Sequence, residues 1–179
     1  AADMETVRAA SQALELAENQ SDAEAALQWC CALADDFAQT RGVGHCGISD
    51  LVRHGVGDRA IKLLLRWQKP EVQAVTFRLL LACCYAHCPF VTTVGSASVW
   101  KVIRDVMAKS PTQQSSTSRP GTEMATPELH LRASELISAL APYTANLGPP
   151  AVVDAIECFS RVARVAADSP AAPPGPVSS

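Results

Sequence analysis

Residues 70–88, PEVQAVTFRLLLACCYAHC, decide how the rest of the chain must fold. Pro70 suits the first turn of a helix, where its missing N–H costs nothing, and Glu71 complements the positive end of the helix dipole. Val72, Val75, Thr76, Leu79, Ala82, Cys83 and Ala86 then recur at helical spacing. Phe77, Leu80, Leu81, Cys84 and Cys88 cover much of the remaining circumference. A helix apolar nearly all round has to be enclosed by neighbours on more than one side. Gln73, Arg78 and His87 interrupt it, and a membrane span needs ~20 apolar residues. The expectation is a central soluble-type helix with other helices on both flanks.

Composition agrees. The chain has 179 residues, 48% hydrophobic and only 5% aromatic, so its core must be built from Ala, Leu, Val and Cys, as in closely packed helices. A net charge of −3 with no local Lys/Arg cluster argues against nucleic acid or an anionic membrane as partner. The seven cysteines are odd in number, include two adjacent pairs and lie mostly in helical stretches. That is not a secreted disulfide framework. It points to buried packing thiols in a reducing compartment, cytoplasm or nucleus.

Outward from the centre, Asp3 caps a first helix from Met4 to Ala17 with Val7, Ala10 and Leu14 inward. Ser21 or Asp22 is expected to cap a second, running to about Phe37. Gly42, Gly44 and Gly47 mark a loop, and Ile48–His54 a short helix stopped by Gly55 and Gly57. Asp58 is expected to cap Arg59–Gln68, with Ile61, Leu64 and Leu65 inward. Phe90–Val94 is β-prone by residue type, yet a lone five-residue strand has nothing to pair with. Ser96 caps Ala97–Lys109, which is lined by Val99, Val102, Ile103 and Val106. Residues 110–126 read as a long, mobile polar loop. Pro127-Glu128 opens a helix that buries Leu129, Ala133, Leu136, Ile137 and Leu140. A last helix, Ala151–Ala167, is expected to bury Val152, Ile156, Phe159 and Ala163, before a proline-rich disordered tail over 169–179. The chain reads as all-α, one domain over 1–168.

Three long helices begin alike: Ser21-Asp22-Ala23-Glu24, Lys69-Pro70-Glu71-Val72 and Thr126-Pro127-Glu128-Leu129. Each follows another apolar helix, so a unit recurs about two and a half times, and units that cannot bury their own faces stack into a solenoid. Here the chain resembles the armadillo-repeat family, with HEAT-like or irregular helical stacking as the alternative. Residues 61–73, IKLLLRWQKPEVQ, resemble that family's junction of second and third helix, and Ala32-Leu33-Ala34-Asp35-Asp36 the end of a third helix. The helix starts lie about 50 and about 57 residues apart, longer than the ~40–47 of such repeats, and the segments 40–57 and 110–126 accommodate the excess. The resemblance implies a short right-handed α-solenoid whose third helices line a concave face. A chain that starts mid-repeat also reads as an excerpt of a longer one.

Peptide-carrying members of the family use a Trp and an Asn four residues later on the third helix. The matching positions are Arg78 and Ala82, and in the last repeat Glu135 and Ala139, so that clamp is absent. The implied function is a scaffold that binds a protein or peptide on its concave face; the alternative is an armadillo-type chaperone cofactor acting in nucleotide exchange or folding. One stripe of the central helix, Glu71, Ala74, Arg78 and Tyr85, is polar at nearly every turn. With Gln28 and Glu135 at matching positions, and Trp67 at a helix junction, it forms the candidate partner surface. A face reading Gln, Arg, Glu suits a mixed-charge segment.

Chemistry is thin elsewhere. Cys83, Cys84, His87 and Cys88 invite a zinc reading, but Cys83 and Cys84 point about 100° apart on a helix, unlike the turn-borne pairs of a structural zinc site. Gly42-Val43-Gly44-His45-Cys46-Gly47 lacks the strand and lysine of a phosphate loop. His45, His54, His87 and His130 carry no flanking nucleophile signature. No enzyme, metal or cofactor is expected.

Overall fold

The computed structural model describes residues 3–40, 46–87, 89–108 and 127–142, with 153, 156–158, 160, 163 and 164. Within these residues the chain is helical and holds no strand. The helices are α1 (Met4–Leu16), α2 (Gln20–Thr40), α3 (Ile48–Arg53), α4 (Val56–Arg66), α5 (Pro70–Ala86), α6 (Phe90–Val94), α7 (Ala97–Ala108) and α8 (Pro127–Leu140). The expected loop over 110–126, the tail over 169–179, and Val152 and Phe159 of the last expected helix lie outside the described residues.

The helix starts follow from local chemistry. The Thr6 N–H and hydroxyl both donate to Asp3 Oδ1 at 2.9 Å, and the amide bond in particular holds the Asp3 carboxyl below its usual range. At α2 the cap is Asn19, not Ser21 or Asp22. Its Oδ1 accepts the Asp22 N–H at 2.8 Å, and its Nδ2 donates to Asp22 Oδ2 at 2.9 Å. Two polar groups thus satisfy each other, which starts the helix earlier than a lone serine would. Gly55 takes the left-handed conformation, φ 80°, and α4 begins directly after it at Val56. Asp58 therefore sits in the first turn of α4 instead of capping it. Gly57 lies inside α4, where a Cβ would come 2.2 Å from Phe90 Cζ. Only glycine lets α4 and α6 approach so closely.

α5 is enclosed as its sequence demands, touching α2, α3, α4, α6 and α8. Val72, Phe77, Leu79, Leu80 and Cys83 are fully buried. The other contacts form a ladder: α2 lies against α5 and α5 against α8, while α1 lies against α4 and α4 against α7. The two series join at each rung, α1 on α2, α4 on α5 and α7 on α8. The apolar residues named for α8 and for Val99–Val106 of α7 are all buried.

Four expectations of burial fail, the first being Ala86, exposed at the end of α5. Leu65 is 40% exposed: the inward set of α4 is Ala60, Leu63 and Leu64, with Ile61 half-buried, so the neighbouring helices cover the other flank of the stripe. Ile156 is 59% exposed and Ala163 is exposed, while Cys158 is buried. Phe90–Val94 is a helix, and Phe90, Val91 and Val94 use the i, i+1, i+4 spacing to reach the core. A buried polar tie secures α1. The Ser11 hydroxyl donates to the His54 carbonyl at 2.6 Å and accepts from Arg59 Nη1 at 2.7 Å, and Arg59 Nη2 reaches Glu15 at 3.0 Å.

A candidate partner groove across three helices

Each long helix sends one glutamate from its first turns toward the same place. Glu24 is near the start of α2, Glu71 follows Pro70 in α5, and Glu128 follows Pro127 in α8. Because α2, α5 and α8 lie side by side, these three residues line one hollow of about 370 Å³. Gln28, one turn beyond Glu24, and Pro70, Ala74, Val75 and Arg78 of α5 complete it. The Gln28 amide leans on Glu24 Oε1 at a long 3.4 Å. Arg78, the one cation in the described lining, pairs through Nη2 with Asp35 Oδ2 of α2.

Two of the five candidate residues from sequence, Gln28 and Arg78, therefore line one hollow. The other three do not. Glu135 lies two turns along α8 from Glu128 and accepts from Arg132 Nη1 at 3.4 Å. Tyr85, 72% exposed, stands at the far end of α5. Trp67 is at the α4–α5 junction, half-buried, with the Arg66 guanidinium 5.1 Å from its ring centroid. Its buried indole N–H has no hydrogen-bond partner among the described residues. Of the three tryptophans Trp29 is the most exposed, at 40%, and Trp100 is fully buried.

Glu24 and Glu128 were absent from the sequence-derived surface. Glu128, like Glu71, follows the opening proline of its helix, and one helix at a time that reads as dipole compensation, while Glu24 lies just beyond the first turn of α2. Only the side-by-side stacking brings these three glutamates to one hollow.

The buried side of α2 and α5 carries a seam of thiols. The Cys31 Sγ donates to the Val75 carbonyl at 3.5 Å, from α2 to α5, and the Cys30 Sγ lies 4.0 Å from the Ala10 carbonyl. Burial pushes the Cys30 and Cys83 thiols up to about 12 and Cys31 to about 11, with neighbouring thiols adding to the rise at Cys30 and Cys83. Such thiols stay protonated and inert near neutral pH. Among the described residues no group of three or more His, Cys, Asp or Glu is placed to hold a metal ion.

A second, smaller hollow of about 170 Å³ lies between α1 and α4, with Arg59, Lys62 and Arg66 on it. Its Arg59 is already committed to Ser11 and Glu15. No described helix is long and apolar enough to cross a membrane. Comparison with known proteins found no matching family model, no matching curated protein and no matching solved structure.

Proposed function

We propose that this chain is a protein-interaction module, a short armadillo-like α-solenoid that takes a partner segment across α2, α5 and α8. The ladder of contacts, one series of helices backed rung by rung by another, supports the solenoid reading. The observation that carries the binding role is the hollow that spans all three long helices, lined by the two polar residues, Gln28 and Arg78, that matching repeat positions single out. A groove shared by equivalent faces of stacked helices suits an extended segment, whose side chains meet one helix after another. Its lining mixes carboxylates, an amide and small aliphatic groups, which favours oriented contacts over a purely apolar seat.

Panning a random twelve-residue peptide library against the whole chain tests this reading. Peptides that bind the native protein are expected to lose binding to Gln28→Trp, whose indole fills the hollow from an exposed position of α2. Helicity by circular dichroism should be unchanged. Binders indifferent to Gln28→Trp, or none at all, would remove the groove as the binding face.

A further inference from the structure

We draw no further inference here: the strongest candidate, the apolar surface of the first helix pair, where Leu16 of α1 is 65% and Trp29 of α2 is 40% exposed, carries nothing because nothing in the structure shows what covers it.

Discussion

α2 and α5 meet the world in two opposite ways. On their shared inner side Cys30, Cys31, Cys83 and Cys84 lie beside Phe77 and Leu80, buried and free of disulfides. On the outer side the same two helices carry Glu24, Gln28, Glu71 and Arg78 around a hollow. Val75 belongs to both, its carbonyl accepting the Cys31 thiol while its side chain helps to line the hollow. Buried thiols and aliphatic groups pack the inner side, whereas Arg78 and Asp35 on the outer side are about half exposed, where ion pairs contribute little to stability. If the hollow is a binding face as proposed, stability and recognition are separable on these helices, and substitutions on the two sides should behave differently.

The largest effect is expected on the inner side. Phe77→Ala removes a fully buried ring from the helix that touches five others and should cost about 3–5 kcal/mol, read as a lower midpoint in urea unfolding. A loss below about 1 kcal/mol would mean that α5 is not the centre of the core.

An intermediate effect should come from alkali. The Cys30, Cys31 and Cys83 thiols have folded values of about 12, 11 and 12 against 9.0 for a free thiol. Above pH 9 the unfolded chain loses these protons before the folded one, so the folded state binds more protons and stability falls as pH rises. The seam's contribution is complete below pH 9 and declines through pH 11 to 12. Unfolding midpoints across pH 8–11 should drop more steeply in the native protein than in Cys30→Ala/Cys83→Ala. Parallel slopes would show that these thiols titrate freely and that the seam is open to water.

The smallest effect belongs to the outer side. Arg78 and Asp35 are both about half exposed, and Arg78→Ala should cost only about 0–1 kcal/mol of stability. A loss of 3 kcal/mol or more would mean that the outer charges hold the fold after all, and the separation of the two faces would fail.

How far the sequence was readable differs between the same two sides. Apolar spacing picked out most buried residues of α5, α7 and α8, because burial follows helical period within one element, but it passed over Trp100, Met107 and His130 and included the exposed Ala86. It misjudged Leu65, which sits beside buried Leu64, because which flank of an apolar stripe is covered depends on the neighbouring helices and not on period. Gln73 was read as a polar interruption of the central helix, yet it is buried at 5% exposure. Period could not tell it from a solvent-facing residue, since enclosure on that side depends on which helices arrive there.

By itself, the sequence determined that the chain is helical, that residues 70–86 form its centre, and that the described cysteines serve as core residues. These depend on local propensity, capping and period, which each segment carries within itself. Tertiary structure alone decided that Glu24, Glu71 and Glu128 meet, that Arg78 spends its charge on Asp35, and that Tyr85 and Glu135 stand apart from the hollow. Those outcomes depend on distances between residues more than forty positions apart, which are set by how α2, α5 and α8 lie against one another. No single helix carries that information in its own pattern.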